Sequence, residues 1–293
     1  MNQLPPGLLQ GLTRSRLLPR QAQPTSGVGE RRSRMKGPGM EFEDYRTYQP
    51  GDNMRHLDHN VYMRTGRHYI REYASYRQLD VKILLDASES MRHGQPEKLQ
   101  FARAVAHGLA FVALAGGDRL QLGVLGDRTR WSEPLQGVQR LPLVEERLAA
   151  AQNETGSCAS LEQALSGSLP AAAGECLLII VSDFMMDDVP AAFRRLAGRG
   201  MEPAAVQVLA PEEEDPRLLG GGASLLIDAE AGDAFEISLG SETLERYEVQ
   251  LRSWRDELRQ SAGAAGGRFL SVSSAAPLDS LFLREWRSAG LIG

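Results

Sequence analysis

The chain has 293 residues, of which 42% are hydrophobic and 24% charged, a composition typical of soluble globular proteins and sufficient for a buried core. Its apolar runs, such as 176–181, are far shorter than the roughly 20 residues of a membrane helix, and the first residues lack the layout of a signal peptide. Two cysteines, Cys158 and Cys176, support neither a zinc site nor a disulfide framework. We therefore expect a cytoplasmic protein with no membrane span and with buried or incidental thiols.

The first 36 residues are basic, whereas the rest of the chain is acidic. Seven arginine or lysine residues face one glutamate there, which leaves −11 for the remainder of a chain whose net charge is −5. A basic arm can indicate nucleic-acid binding, but this one has no aromatic residue for base stacking. We predict that residues 1–36 form a basic arm and linker lying across the acidic body, and we expect no nucleic acid among the partners.

Residues 37–79 interleave charged and aromatic side chains at high density. The candidates for a partner-binding surface are Glu41, Asp44, Arg46, Asp52, Arg55 and Asp58. The same mixture also suits a layer of paired charges packed on a neighbouring domain, and the sequence leaves both interpretations open. We predict a separate N-terminal segment over 37–79 that packs on the domain after it.

From residue 80 onwards, strand and helix patterns alternate along the chain. Strands are predicted at 81–86, 119–126, 176–183, 204–209 and 268–272, and helices at 95–115, 141–151, 160–169, 189–199 and 278–289. An acidic insertion near 211–239 contains a hairpin and leads to a long helix, with Ser241 as its N-cap and Gly263 as its stop. We therefore predict an α/β domain over 80–293 with a doubly wound, mainly parallel sheet.

Oxygen-bearing side chains follow two of the predicted strands. Asp86, Ser88 and Ser90 lie in the run DASES at the end of the first strand, and Asp183 ends the strand 176–183. Ligands of open parallel sheets bind beyond the carboxyl ends of the strands, so these residues predict an all-oxygen site for Mg²⁺, Mn²⁺ or Ca²⁺ rather than zinc. The alternative is that the serines only cap the helix that follows. The spacing alone does not decide between the two.

The motifs of several enzyme classes do not occur in the sequence. There is no Gly-x-x-x-x-Gly-Lys-Ser/Thr loop for nucleotides and no Gly-x-Ser-x-Gly nucleophile elbow. A haloacid-dehalogenase phosphatase needs a second aspartate where this chain has Ser88, and His93 is a lone histidine in a polar loop. Two acids and two serines form a metal seat without a base or nucleophile, so we predict a protein that is not an enzyme. A metal-dependent hydrolase is the weaker alternative.

Several stretches of the chain resemble known motifs. DASES resembles the Asp-x-Ser-x-Ser element of the metal-ion-dependent adhesion site in von Willebrand factor A domains, and EFEDYRTYQPGD…RHLDHN…TGRHYIREY resembles the signature of the bacterial domain of unknown function 58 family. The later stretches LLDASESM, VSDF, VLAPEEE and APLDSLF are similar to that family in order. The resemblance implies a von Willebrand A fold, an adhesion-type metal site and pairing with a MoxR-type AAA+ ATPase in maturing or remodelling protein complexes.

The chain departs from these patterns at two positions. Asp58 is followed by histidine, where the family usually has tryptophan, and Ala159 stands where the adhesion site usually has a threonine. Ser160, Ser157 or Thr155 could supply the missing hydroxyl, or water could fill the position, because Mg²⁺ retains several waters in its octahedral shell. We expect the loss of one hydroxyl to weaken the site without abolishing it.

The residues and the resemblance together predict an adaptor that binds a MoxR-type ATPase and a protein client. In this hypothesis a metal at Asp86, Ser88, Ser90 and Asp183 takes a carboxylate from the partner into its open coordination position. The alternative adaptor has an inactive metal site and binds through the charged and aromatic segment at 41–73.

Overall fold

The computed structural model describes residues 4–20, 41–48, 57–74, 78–125, 129–151, 160–166, 168–171, 176–186, 188–219, 223–227, 234–238 and 240–293. Within these ranges the strands form three sheets. The largest contains β3 (Asp80–Asp86), β4 (Arg119–Leu125), β5 (Arg130–Trp131), β6 (Cys176–Ser182), β7 (Met201–Leu209) and β10 (Arg268–Ser273). Two antiparallel pairs complete the set, β1 (Glu41–Thr47) with β2 (Tyr69–Ala74) and β8 (Ala223–Ile227) with β9 (Ala234–Ser238).

The six strands of the main sheet lie in the order β10–β7–β6–β3–β4–β5. Every neighbouring pair in this sheet is parallel except β4 with β5. The chain runs outward from β3 to β5 and then outward from β6 to β10, so the strand order reverses between β3 and β6. This is the doubly wound arrangement, in which ligands bind at the reversal point. The predicted α/β fold with a mainly parallel sheet is confirmed.

Helices cover both faces of the main sheet. Their bounds are α1 (Pro6–Leu12), α2 (His59–Thr65), α3 (Lys98–Ala115), α4 (Leu141–Ala150), α5 (Leu161–Ser166), α6 (Val189–Gly198), α7 (Pro211–Glu214), α8 (Ser241–Ala264), α9 (Leu278–Ser280) and α10 (Trp286–Ser288). Side chains of α1, α3, α4 and α10 join one hydrophobic cluster, and those of α5, α6 and α8 join the other. Strand β3 contributes Ile83 to the first and Leu84 to the second, because successive side chains of a strand point to opposite faces. None of the helices in the described ranges has the length and apolar character needed to cross a membrane.

The amino-terminal segment 4–20 is part of the core, although the sequence analysis assigned it to a basic arm. Its buried leucines are Leu4, Leu8, Leu12 and Leu17. Leu17 forms an antiparallel bridge with Ile292, and the backbone of Arg16 exchanges hydrogen bonds of 2.7 and 2.8 Å with Gly293. The segment therefore closes the first hydrophobic cluster together with the carboxyl terminus.

The arginines that made this segment look like a free basic arm are used within the fold. Nη1 of Arg16 donates to the carbonyl of Ala115 at 2.8 Å, and Nη1 of Arg20 donates to the carbonyl of Gly267 at 2.8 Å. The guanidinium of Arg16 therefore binds the carboxyl end of α3, and that of Arg20 binds the turn between α8 and β10. The rest of the predicted arm, 21–36, lies outside the described residues.

The ends of α8 differ from the prediction. Ser241 is the first helical residue rather than the N-cap, and the helix continues past Gly263 to Ala264. Gly266 has a φ of +75°, and its N–H and that of the next residue bond back to the carbonyls of Gly263 and Ala262. This Schellman motif requires a left-handed residue, which explains why Gly266 and not Gly263 ends the helix.

Candidate metal site at the carboxyl edge of the sheet

The two predicted acidic residues lie side by side at the point where the strand order reverses. Asp86 is the last residue of β3, and Asp183 directly follows β6. Because β3 and β6 pair in parallel, their carboxyl ends meet at the same edge of the sheet. Both carboxylates are fully buried, so their charges interact through protein rather than through solvent.

Asp86 is surrounded by neutral hydrogen-bond donors. Its Oδ1 accepts from the backbone N–H of Ser88 at 2.9 Å, and its Oδ2 accepts from the hydroxyl of Ser182 at 2.5 Å. Burial, followed by the negative charge of Asp183, raises the pKa of Asp86 to about 6, and the hydrogen bonds from Ser182 and Ser88 offset only part of that rise. Among the described residues, the carboxylate of Asp86 therefore has hydrogen bonds from neutral donors and a neighbouring acid, but no ion pair.

The two serine hydroxyls of DASES face each other, with 3.1 Å between Oγ of Ser88 and Oγ of Ser90. Ser88 occupies the N-cap position of the 3₁₀ turn Glu89–Arg92, but its side chain makes no capping hydrogen bond. The helix-capping alternative is therefore wrong. Adjacent ligands of an octahedral Mg²⁺ at 2.0–2.1 Å lie about 3 Å apart, so the hydroxyl pair has the spacing of two neighbouring metal ligands.

Asp183 is paired with a buried lysine that the sequence analysis did not single out. Its Oδ2 accepts from Nζ of Lys98 at 2.8 Å, and its Oδ1 accepts from the backbone N–H of Met185 at 3.2 Å. The ammonium of Lys98 also donates to Oε1 of Glu213 at 2.6 Å. Burial by itself lowers the pKa of Lys98, but the two carboxylates outweigh burial and raise this pKa above its ordinary value. Lys98 is therefore a charged ammonium held between Asp183 and Glu213.

The backbone after β6 is held in an uncommon conformation. Phe184 has a φ of 61°, in the left-handed region that bulky residues rarely adopt. Its N–H donates to the hydroxyl of Ser182 at 2.9 Å, and its buried ring packs edge-on against Phe193. Met185, the next residue, is 52% exposed. The strained residue thus turns its own ring inward, keeps Ser182 bonded to Asp86 and leaves Met185 at the rim of the site.

The comparison with protein families decides the family of the chain. The family model described as "Protein of unknown function DUF58" matches residues 44–257. The chain belongs to the DUF58 family. The uncharacterized proteins Rv1480 of Mycobacterium tuberculosis (strain ATCC 25618 / H37Rv) and Mb1516 of Mycobacterium bovis are each 27% identical to it over 249 residues, which cover 83% of this chain and 78% of theirs. The predicted family is confirmed.

Solved structures with low sequence identity also resemble this DUF58 chain. Conserved hypothetical protein BatB from Bacteroides thetaiotaomicron is 14% identical, with a TM-score of 0.45, over 72% of this chain and 98% of that one. The SpRpn10 VWA domain is 12% identical, with a TM-score of 0.38, over 69% and 92% of the two chains. The fold assignment itself rests on the strand order of the main sheet.

Three residues of the site, Lys98, Ser182 and Glu213, escaped the sequence analysis. Their partners are distant in sequence: 85 residues separate Lys98 from Asp183, and 115 separate it from Glu213. Lys98 did carry a signal, since it lies in the first turn of α3, where the helix dipole disfavours a cation. It also shares the apolar stripe of α3 with Ala102, four residues on.

Ser160 has a different role from the one predicted. Its hydroxyl donates to Oδ2 of Asp188 at 2.6 Å and accepts from the backbone N–H of Gln163 at 3.1 Å. Asp188 also accepts from the N–H groups of Leu161 and Glu162. Ser160 and Asp188 therefore cap α5, and the prediction of Ser160 as a metal ligand is corrected to a helix-capping role. The other candidates of that loop, Thr155, Ser157 and Ala159, lie outside the described residues.

The predicted partner-binding residues are spread over several environments. Glu41, Asp44 and Arg46 lie in β1, whereas Asp52 and Arg55 are outside the described residues. Asp58 is only 2% exposed, and its Oδ1 accepts from the N–H of Val61 at 3.1 Å, which makes it the cap of α2. Asp58 therefore has a structural role at the start of α2, and its part in partner binding stays a prediction.

Asp86, Ser88, Ser90 and Asp183 form the strand-edge site. The oxygen atoms of these side chains determine which cation would fit it. Among the side chains that the structure describes, no three histidine, cysteine, aspartate or glutamate residues are grouped to hold a metal ion. The strand-edge site has enough oxygen ligands for a metal only if the hydroxyls of Ser88 and Ser90 are counted with the carboxylate of Asp86. Such an all-oxygen set with few charges suits a hard cation that keeps several waters, as Mg²⁺ does.

Proposed function

We propose that this DUF58 protein is a non-enzymatic adaptor that binds a MoxR-type AAA+ ATPase and a protein client. A divalent cation held by Asp86, Ser88 and Ser90, with Asp183 acting through water, accepts a carboxylate from the partner. The observation that carries the proposal is the carboxylate of Asp86, with its raised pKa, beside two hydroxyls 3.1 Å apart. One Mg²⁺ would neutralise that carboxylate and use both hydroxyls as ligands.

The polar groups beside Asp86 support binding rather than catalysis. The hydroxyl of Ser182 donates to Asp86 and accepts from Phe184, and the ammonium of Lys98 is held by two carboxylates that raise its pKa. A protonated, doubly bonded ammonium is a poor general base. Cys176 lies at the opposite end of β6, beside Asp80, and burial raises the pKa of its thiol to about 12, which disfavours a thiolate nucleophile. Ser182 and Lys98 therefore serve as hydrogen-bond donors to carboxylates rather than as acids or bases in catalysis.

The class of partner is supported by the family to which the chain belongs. The DUF58 signature covers residues 44–257, and the family resemblance implies pairing with MoxR-type ATPases. A partner aspartate or glutamate that completes the coordination of a cation forms a charge-assisted and geometrically selective contact. Such a contact suits an adaptor that must recognise one assembly among many proteins.

The test measures the affinity of the purified protein for a purified MoxR-type ATPase from the same genome. We compare Asp86→Asn with Asp80→Asn, because Asp80 is also a buried acid and lies at the opposite end of β3. Asp86→Asn should weaken binding by about tenfold rather than abolish it, since water can replace one ligand of Mg²⁺. Asp80→Asn should leave the affinity unchanged. Equal affinities for both variants, with no effect of a chelator, would remove the metal bridge from the proposal.

A metal-independent adaptor is the second candidate, and the pairing of Asp183 with Lys98 favours it, because that acid already has a cation. In this case binding uses the surface of segment 41–73. Met63, on α2, is 83% exposed, so its substitution by alanine tests whether that surface binds the partner. Binding that resists both the chelator and Asp86→Asn but is lost in Met63→Ala would establish this mode. Phosphoester turnover that disappears in Asp86→Asn would instead establish a hydrolase.

A further inference from the structure

Lys98, the first residue of α3, places its positively charged side-chain ammonium group in the strand-edge site. Lys98 is 1% exposed, and its Nζ lies 2.8 Å from Oδ2 of Asp183 and 2.6 Å from Oε1 of Glu213. Both its burial and its position at a helix amino terminus are unfavourable for a cation. The two carboxylates, contributed by the end of β6 and by α7, compensate for both effects.

The carboxylates of the site are neutralised unequally. Lys98 provides one positive charge that Asp183 and Glu213 share. Asp86 instead accepts hydrogen bonds from a backbone N–H and from the hydroxyl of Ser182, which carry no charge. An incoming divalent cation would therefore be attracted by Asp86 and repelled by the ammonium that has already engaged Asp183.

We infer that Lys98 is a positioning residue that limits divalent-cation binding at this site, and that Glu213 relieves the limit by sharing the ammonium charge. Lys98 holds Oδ2 of Asp183 in a fixed hydrogen bond and supplies a like charge next to the cation position. Glu213 draws part of the same ammonium charge towards α7. The inference rests on the proposed metal site and adds to it the residues that set its affinity.

The two residues should act in opposite directions. Lys98→Met keeps the aliphatic stem and removes the charge, so Asp183 becomes available and cation affinity rises. Glu213→Gln leaves the ammonium to Asp183 alone, so cation affinity falls. If Lys98 and Glu213 had only a structural role, losing either one would disturb the same contact and both variants would lose affinity.

The experiment titrates the full chain with Mn²⁺ alone and measures bound Mn²⁺ by electron paramagnetic resonance. Lys98→Met should bind about tenfold more tightly than the wild type, and Glu213→Gln about threefold more weakly, as expected for removing one like or one opposite charge near a cation. Lys98→Arg keeps the charge and should match the wild type. Asp86→Asn locates the signal, because it should weaken Mn²⁺ binding by about tenfold in every background, as expected when water replaces one ligand.

The outcomes separate this inference from the proposed function. Binding that requires Asp86 but is unchanged or weaker in Lys98→Met overturns the inference and leaves the metal site in place. Mn²⁺ bound only by Lys98→Met supports the inference, whereas no binding in any variant overturns both the inference and the metal bridge. If Lys98→Met does not fold, as judged by its thermal transition, Lys98→Gln replaces it, because its neutral amide can still donate to Asp183: tighter Mn²⁺ binding than in the wild type supports the inference, and equal or weaker binding overturns it.

Discussion

The two ends of strand β3 carry buried aspartates in contrasting environments. At the amino end, Oδ2 of Asp80 lies 3.5 Å from Nζ of Lys82, and its Oδ1 lies 3.5 Å from Nε of Arg119. At the carboxyl end, Asp86 meets neutral donors and a second acid, Asp183, and its pKa is raised. One strand therefore holds a charge-matched end, which serves the fold, and an end with excess negative charge, which suits a cation.

This contrast shows why burial alone does not identify a binding site. Both Asp80 and Asp86 are buried acids on the same strand, and a buried charge is costly unless it is paired. The protein pairs the charge of Asp80 with Lys82 and Arg119, whereas Asp86 faces neutral donors and a second acid, Asp183. The difference lies in the neighbouring side chains and not in the strand.

The largest effect is expected when a lysine is removed from either end. Lys98→Met should destabilise the protein by about 3–5 kcal/mol, because it leaves the buried Asp183 without its cation. Lys82→Met should cost less, because Asp80 keeps Arg119 as a partner. Urea unfolding at neutral pH without divalent ions measures this loss. Excess Mg²⁺ should restore part of the stability of Lys98→Met and none of that of Lys82→Met. Equal rescue of both variants would show that the two ends do not differ as described.

The pH dependence of stability provides the second test. The carboxyl of Asp86 has a pKa of about 6 in the folded protein against an ordinary 3.8, so the folded state binds this proton more tightly than the unfolded state. Its contribution is therefore full below about pH 4 and is lost as the pH rises through about 6, a loss of about 3 kcal/mol.

Asp86→Asn should remove this part of the pH dependence, so that the variant is more stable than the wild type at neutral pH and similar to it in acid. Urea unfolding between about pH 4 and about pH 7 measures the two profiles. The amino-end variant Asp80→Asn is the control and should keep the wild-type decline. Parallel profiles for Asp86→Asn and the wild type would contradict the assigned environment of Asp86.

A smaller effect is expected at Ser182, which links the strained loop to Asp86. Ser182→Ala should cost about 1.5–3 kcal/mol, the effect of losing a buried hydrogen bond to a charged group. It should also move the pH midpoint of the stability loss upward, because the hydrogen bond from Ser182 lowers the pKa of Asp86. Ser90→Ala is the matched control, since Ser90 bonds to the hydroxyl of Ser88. A midpoint that moves equally in both variants would rule out a specific role for Ser182.

Much of the fold and part of the site follow from local patterns. The alternating strand and helix periods predicted the doubly wound sheet, and the hairpin of β8 with β9 lies within the insertion near 211–239 where a hairpin was predicted. Asp86 and Asp183 could be placed together because parallel strands bring their carboxyl ends to one edge. These inferences need only the period of the apolar residues and the direction of the chain.

Side-chain partnerships required the tertiary structure. The sequence placed Asp86, Ser88, Ser90 and Asp183 at one edge of a parallel sheet, because strand direction and side-chain period are local properties. It could not show that Lys98 neutralises Asp183, or that the leucines of segment 4–20 enter the core. Those contacts join residues far apart in the chain, and which of many polar and apolar groups meet depends on how the helices pack on the sheet.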